Sequence, residues 1–522
     1  MRKTTILRFL TLVLLLPLAS FAPVQIQVAQ AASTVIYNLY ATDAFIQLAD
    51  GTLLYNYGFV GGRQGVPLTF QNSMMAAVNP GLNTTISTGA PAPTGGPVTA
   101  AETPLLGNAQ FPAPLIYAAV GDVVEIRLKN LGVTYKKAPN DPHSIHLHGL
   151  DVDAANDGVP ETSVGAVPAN LVATPGAGNV LVYMFSPTVP GSYMYHCHQE
   201  ADIHVQMGMY GALVVYSAAD KADSLSAYNK GGPGTGRGDL WGWKYDKDVV
   251  LLLSEVDMRQ HVSEQNGATG SNAFNPVLYQ PQYWMINGLS FPNTIHANGA
   301  PVGVPAFNWL NWSAAHPGYD PFIIGRINST SYAGTTGDKI LLRVINMGYE
   351  TQPMHMHGFH GKILGSDQRP WTWAQPGQPN ILTGAGTPGV GEEKNTLTIG
   401  SGETYEWLLD FGTWTRTVAT YADGSGVQTP TFLGGDYPGG TQSRYGPAPS
   451  LLPSSNTVLA NPAIPVPLLV PPATYIAGPT VTGAIGIPTQ GQLFPFHNHD
   501  DYKATNNGVY PGGMFTMIMT VP

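Results

Sequence analysis

The chain has almost no thiols: its 522 residues include one cysteine, Cys197. An internal disulfide is therefore excluded, and stability has to come from packing. Charge is also scarce, at 11% of residues, with a formal balance of −10. No basic run occurs, which argues against nucleic acid or an anionic membrane surface as a partner. After the first thirty residues no apolar run is long enough to span a bilayer. Amphipathic helical stretches are few.

What is abundant is turn chemistry, with 61 glycines and 45 prolines. Between the turn clusters lie short segments rich in Val, Ile, Leu, Tyr and Thr: Val35 to Tyr40, Leu115 to Tyr117, Val123 to Leu128, Val180 to Phe185, Ser192 to His196 and Ala212 to Tyr216. This composition predicts an all-β chain. The N-terminus differs from the rest. Arg2, Lys3 and Arg8 flank an apolar run from Phe9 to Ala19, and Ala29-Gln30-Ala31 supplies small residues for cleavage. Residues 1–31 therefore read as a secretory signal, and the predicted location is periplasmic or extracellular.

Two halves echo each other. GDVVEIRLKNLG (121–132) resembles GDKILLRVINMG (337–348), and HSIHLHGL (143–150) resembles QPMHMHGF (352–359). YHCHQE (195–200) matches FHNHDD (496–501), each followed by a methionine and an apolar strand, from Met209 and from Met514. The predicted organisation is a first domain over 33–220, a Gly-rich linker over 221–247 and a second domain over 248–522. The Pro/Gly/Ser/Thr-dense stretch at about 413–490 reads as a surface insertion in the second domain.

Eight of the 14 histidines form four His-x-His pairs, where random placement gives roughly 0.4. On a strand, residues i and i+2 share a face and i+1 points the other way. His196 and His198 therefore face one side and Cys197 the other. His146 and His148 share a face, and His143, an odd step away, points to the side of Cys197. Two metal sites joined through Cys197 follow. Downstream lie His204 and Met209, and with His143 they complete two imidazoles, a thiolate and a thioether, the donor set of a blue copper centre. Structural zinc and an inert buried thiol are the competing readings. Zinc sites rarely use methionine, and an inert thiol leaves three co-ligands at loop spacing unexplained.

These strings resemble the four copper motifs of multicopper oxidases, over roughly residues 33–522 less the insertion. The likeness is closest to two-domain members with type 1 copper in the first domain, which share the overall plan of copper nitrite reductases and are typically homotrimers. The resemblance implies two cupredoxin-like Greek-key β-sandwich domains and four coppers per chain. Type 1 copper falls on His143, Cys197, His204 and Met209, and type 2 on His146 and His355. The type 3 pair falls on His148, His196, His198, His357, His497 and His499. It implies a reducing substrate, dioxygen as acceptor, and a trinuclear cluster between chains of a homotrimer. Asp157 and Glu200 resemble the acidic residues that supply protons in the family; a turn residue and a solvated charge are their plainer readings. In the second domain Gln352 matches His143 and Asn498 matches Cys197. A residue near Val509 matches His204, and only Met514 is retained, so that half is expected to hold no blue copper.

A nitrite reductase needs three histidines at one type 2 copper, leaving the second member of each pair superfluous. A copper carrier or electron-transfer protein leaves the second-domain histidines unexplained. Phenols, aromatic amines, Mn(II), Fe(II) and Cu(I) all stay open as reductants. Asp151, Asp153 and Asp202 are candidates for an acidic surface receiving a metal ion. His360 is a candidate for supporting a ligand, and His261, His296 and His316 read as surface or loop residues.

Overall fold

The computed structural model describes residues 33–77, 79–168, 180–300, 306–326, 329–335, 337–371, 392–411, 480–484 and 492–521, with backbone alone at 299–300, 480–484 and 492–493. The expected export signal lies outside these residues, as does nearly all of the expected insertion. Residues 480–484 are the exception, pairing with Ala297–Ala300.

The chain is all-β and forms two Greek-key sandwiches of cupredoxin type. Counting sandwich strands alone, the first uses β1 (Thr34–Gln47), β2 (Leu53–Arg63), β3 (Ile116–Ala119), β4 (Val123–Gly132), β5 (His146–His148), β6 (Val180–Phe185), β7 (Gly191–His196) and β8 (Tyr210–Tyr216). Its sheets run β2-β1-β4-β6 and β3-β8-β7-β5. The second uses β9 (Lys247–Val256), β10 (Tyr283–Ile286), β11 (Ile323–Arg326), β12 (Lys339–Asn346), β13 (Gln352–Met356), β14 (Gly361–Ser366), β15 (Thr396–Ile399), β16 (Thr404–Asp410), β17 (Gln492–Asn498) and β18 (Phe515–Val521). Its sheets contain β10-β9-β12-β16-β14 and β11-β18-β17-β13-β15. The duplication thus extends to topology. β1 pairs parallel with β4 as β9 does with β12, and β3 with β8 as β11 does with β18.

Burial follows each strand's surroundings. β4 alternates, with Val124, Ile126 and Leu128 in the first core while Glu125 and Arg127 face outward. β8 and β9 are buried along both faces, because a shared apolar cluster joins the sandwiches. There Phe111, Val214 and Tyr216 meet Val250, Leu252, Met285 and Ile345. A strand covered on both sides reads as a continuous apolar run, and VVLLL in β9 is such a run.

Residues 221–247, expected as a linker, are folded together with residues 217–220. They form two short helices, Ala218–Ala222 and Ala227–Lys230, and a hairpin of Gly238–Leu240 with Trp243–Tyr245. Ser217 and Asp220 close a capping box on the first helix. Lys221 and Tyr228 anchor the segment on buried Asp122, at 2.6 and 2.9 Å. Glycine content marks the turns here, while caps and a buried carboxylate order the chain between them.

Candidate metal centre

Pairing of β5 with β7 sets His146 opposite His196, Leu147 opposite Tyr195 and His148 opposite Met194. The first-domain site is built on this register. Past the end of β7, the Cys197 amide bonds to the Met209 carbonyl at 3.0 Å, so Cys197 and Met209 enter from adjoining segments. Cys197, His204 and Met209 are fully buried, and His143 nearly so. Nδ1 of His204 lies 3.4 Å from the Cys197 sulfur and Nδ1 of His143 3.9 Å. The Ser144 amide also approaches that sulfur, at 3.5 Å. One soft sulfur between two imidazole nitrogens, with a thioether in the same loop, suits copper better than a hard cation.

Tyr57 sets its ring edge-on to His204 at 5.8 Å and tilted to His143 at 6.1 Å, and its buried hydroxyl has no hydrogen-bond partner among the described residues. Sequence reasoning missed Tyr57, since a tyrosine in an alternating strand carries no motif. Burial, followed by the neighbouring His204, pushes His143 well below its usual range. Burial also opposes charge on His204, but Asp141 and Cys197 outweigh it and hold the imidazole up to about 10.

On the opposite side of Cys197 the other four first-domain histidines converge. The ring of His146 lies 5.5 Å from that of His148, 5.1 Å from His196 and 5.3 Å from His198. Backbone carbonyls orient two of them. Nδ1–H of His146 donates to Asp157 at 2.7 Å, and Nδ1–H of His196 donates to the carbonyl of Cys197 at 3.0 Å. A ring held this way turns its unprotonated Nε2 to the common space, the arrangement a metal requires. Burial lowers His196 to about 3 and lowers His148, which keeps both neutral.

The second domain repeats the quartet. β13 and β17 set His355 opposite His497. Rings of His355, His357, His497 and His499 lie 4.9 to 5.9 Å apart. Nε2 of His357 and Nε2 of His497 face each other at 3.1 Å. His355 is held through Nδ1 by the Asn395 carbonyl and Thr396 Oγ1, and His497 by the carbonyl of Asn498. His357 and His499 are exposed. Among the described residues, the ring contacts of each quartet stay within its own sandwich.

Where the second domain would hold a blue site, Gln352, Asn498 and Met514 do come together. The residue in the place of His204, however, is Lys503 and not one near Val509. The Met209 amide bonds the His204 carbonyl, and the Met514 amide bonds that of Lys503. Buried Lys503 donates to the Thr351 carbonyl at 2.7 Å and pairs with Asp500 and Glu350. The span from Asn498 to Met514 is four residues longer than that from Cys197 to Met209. The excess turns away to pair with Gln282 and Tyr283, leaving Val509 exposed. Counting back from the methionine therefore misplaces the match.

The acidic residues sort differently from expectation. Asp157 stands at the quartet, its carboxylate 3.4 Å from Nδ1 of His146. Glu200 faces the other way, 3.9 Å from Nε2 of His204, with Asp141 at 3.8 Å from the same atom. Asp151 pairs with Arg369, and Asp153 caps the helix Ala154–Asp157. Of the three aspartates considered for an acidic surface, exposed Asp202 alone adjoins the blue site. Asp141 has a sequence signal, being two residues before His143 and so on its face. His261, His296 and His316 are buried, correcting the surface reading. His261 bridges the carbonyls of Tyr55 and Gln206, and His296 and His316 stack on Trp309 and Trp312. His360 is exposed.

A family model described as "Multicopper oxidase" matches residues 84–219. The chain is 30% identical over 183 residues to an L-ascorbate oxidase of Brassica rapa subsp. pekinensis, covering 35% of this chain and 26% of that protein. It is 32% identical over 225 residues to an iron transport multicopper oxidase of Epichloe festucae, covering 41% and 30%. A copper resistance protein A homolog of Pseudomonas syringae pv. tomato is 32% identical over 115 residues, covering 22% and 17%. The chain thus spans less than a third of the length of these relatives. Among solved structures, the blue copper oxidase from Nitrosomonas europaea aligns over 94% of this chain and 86% of its own at 18% identity, with a TM-score of 0.46. Residues 84–219 are thus similar to the multicopper oxidase family model, and they contain the donor set His143, Cys197, His204 and Met209.

Proposed function

We propose that the protein is an oxygen-reducing copper oxidase. It takes electrons singly from a reducing substrate on the Cys197 side and uses them on the histidine side to turn dioxygen into water. The observation that carries this reading is the alternation at His196-Cys197-His198, where one strand end serves a thiolate site on one face and an imidazole site on the other. His143, Cys197, His204 and Met209 would hold a type 1 copper. His146 and His355 would hold type 2, and His148, His196, His198, His357, His497 and His499 the type 3 pair. Four coppers, when bound, supply storage for the four electrons that dioxygen requires.

The chain's own residues do the rest. Burial of His143, Cys197 and His204 excludes water from the electron-accepting side. Carbonyls of Asp157, Cys197, Asn395 and Asn498 fix the imidazoles that serve dioxygen. Asp157 is the carboxylate placed to hold a proton at that side. The structured unit divides, on this reading, into domains at 33–220 and 248–522 with the folded connector between. Export of the chain, with cleavage near Ala31, belongs to the same proposal.

A homotrimer with the cluster between neighbouring chains accounts for two quartets that each make ring contacts within one sandwich, and for the exposure of His357 and His499. The test is oxygen uptake by copper-loaded protein with an electron donor, nitrite being offered as a competing acceptor. Oxygen should be consumed to water without peroxide accumulating. Vigorous nitrite turnover, with a single type 2 copper by spectroscopy, would replace this reading with a nitrite reductase.

A further inference from the structure

We infer that Gln368 is a positioning residue for the first histidine quartet. From the second domain of the same chain, its side chain fixes where β5 leaves the sheet, and so where His148 stands. The inference rests on the oxidase reading only for its consequence in oxygen reduction.

The first observation is a residue at odds with its turn. Ser366 pairs with Arg369, so Asp367 and Gln368 alone make the turn between them. Both are left-handed, at φ 47° and 59°. A two-residue hairpin turn with positive φ at both positions favours glycine second, because a side chain there crowds the backbone. Gln368 stands in that position all the same, and it is buried. Backbone strain kept at a buried polar residue points to a role for its side chain.

That side chain reaches into the first domain. β5 pairs with β7 only as far as His148, opposite Met194. The next residue, Gly149, turns away at φ 86°. Two residues before Met194, Ser192 is therefore left without β5, and side chains of the second domain take the strand's place. Ser192 donates its amide to Glu406 Oε1 at 2.7 Å, and its carbonyl accepts from Gln368 Nε2. Nε2 of Gln368 also donates to Thr404 Oγ1 at 3.0 Å. A Cβ added at Gly149 would lie 2.9 Å from Gln368 Oε1, and one added at Gly191 3.2 Å from its Cγ. Gln368 thus fills the notch between the end of β5 and the start of β7, against the residue that follows His148.

A neighbouring turn completes the clamp. Thr404 and Asp367 exchange hydrogen bonds, Thr404 donating to Asp367 Oδ1 at 3.0 Å and Asp367 to the Thr404 carbonyl at 2.9 Å. Gly402, two residues earlier, packs on the imidazole itself, since a Cβ there would lie 3.3 Å from His148 Cε1. Backbone around a ligand that is held from two sides keeps its imidazole in one place before any metal arrives.

The test uses the full-length chain with Gln368→Gly, which removes the side chain while relaxing the turn. In copper-free protein, amide exchange read by mass spectrometry should quicken about tenfold over residues 146–150. Residues 197–209 and 210–216 should exchange as in wild type. In copper-loaded protein, the blue absorption and its reduction by a donor should also be unchanged. Copper on the histidine side should pass to a chelator about tenfold more readily, and reoxidation by dioxygen should slow by a similar factor. Gln368→Asn gives the same pattern where Gln368→Gly folds poorly, because asparagine accepts the left-handed turn but falls one methylene short of Ser192. Unchanged exchange over 146–150, or unchanged copper retention, overturns the inference, as does loosening spread evenly over the first sandwich. Local loosening at 146–150 in a protein that consumes no oxygen with any donor would instead keep the positioning role and remove the oxidase reading.

Discussion

Asn498 donates a hydrogen bond to Gln352 Oε1 at 2.6 Å and approaches Met514 Sδ at 3.4 Å. The pair occupies in the second domain the place of Cys197 and His143 in the first. An amide pair has replaced a thiolate and an imidazole while the surrounding backbone bonding is kept. Asn498→Cys should therefore create no second blue centre, because Gln352 and Lys503 remain. Visible absorption and copper content of that variant should equal those of wild type; a doubled thiolate band would break the proposed equivalence.

Cys197→Ser should remove the intense thiolate-to-copper absorption and lower copper content by one per chain. The quartets face away from this side chain, so their coppers and the strand pairing of His146 with His196 should persist. Metal analysis with visible spectroscopy decides it.

Asp157 and Glu200 should separate kinetically. Asp157→Asn keeps the backbone carbonyl that holds His146 and removes the acid, so reoxidation of reduced protein by dioxygen should slow by about 10²–10⁴-fold. Glu200→Gln should act on reduction by donor, since its carboxylate lies at His204. Stopped-flow measurement of the two half-reactions distinguishes them, and identical profiles would contradict the placement.

Mixing should rescue paired defects. Chains with His146→Ala and His148→Ala lack the first quartet, and chains with His355→Ala and His357→Ala lack the second. Co-assembled from unfolded mixtures, they should regain a fraction of oxygen uptake, because some neighbours then pair an intact first quartet with an intact second. No recovery in verified mixed oligomers would favour a cluster within one chain.

The contribution of Glu255 to stability should fall as pH rises from about 4.5 to about 7. Burial raises Glu255 to about 7 from an ordinary 4.5, although the Tyr349 and Glu350 amides, Gln352 and Tyr279 all donate to it. In that window the folded chain holds a proton that the unfolded chain has released. Each pH unit then costs on the order of 1 kcal/mol from this group. Wild type should lose melting temperature relative to Glu255→Gln as pH rises through that window.

Much of the site was legible because strand parity is a local rule. Two residues apart means one face, and that places His143, His146, His148, Cys197 and both members of every His-x-His pair. Lys503 was not legible, since the loop length that sets its position answers to a contact with Gln282 far away in sequence. The connector at 217–247 misled because its glycines advertise turns, whereas its order comes from Asp122, a residue about a hundred positions earlier. His261, His296 and His316 read as surface or loop residues because isolated histidines bear no sign of the aromatic and carbonyl partners that bury them.

Lys503 has a bearing on how the protein matures. At the corresponding position the first domain presents His204, which can be fully satisfied only once an ion arrives. The second domain supplies its own positive charge there, already bonded to the Thr351 carbonyl and flanked by Asp500 and Glu350. Its loop is thus held by the chain's own groups, with no ligand position left open at Lys503. Without copper the loop around Lys503 keeps these bonds, while the one around Cys197 leaves Nε2 of His204 without a hydrogen bond among the described residues.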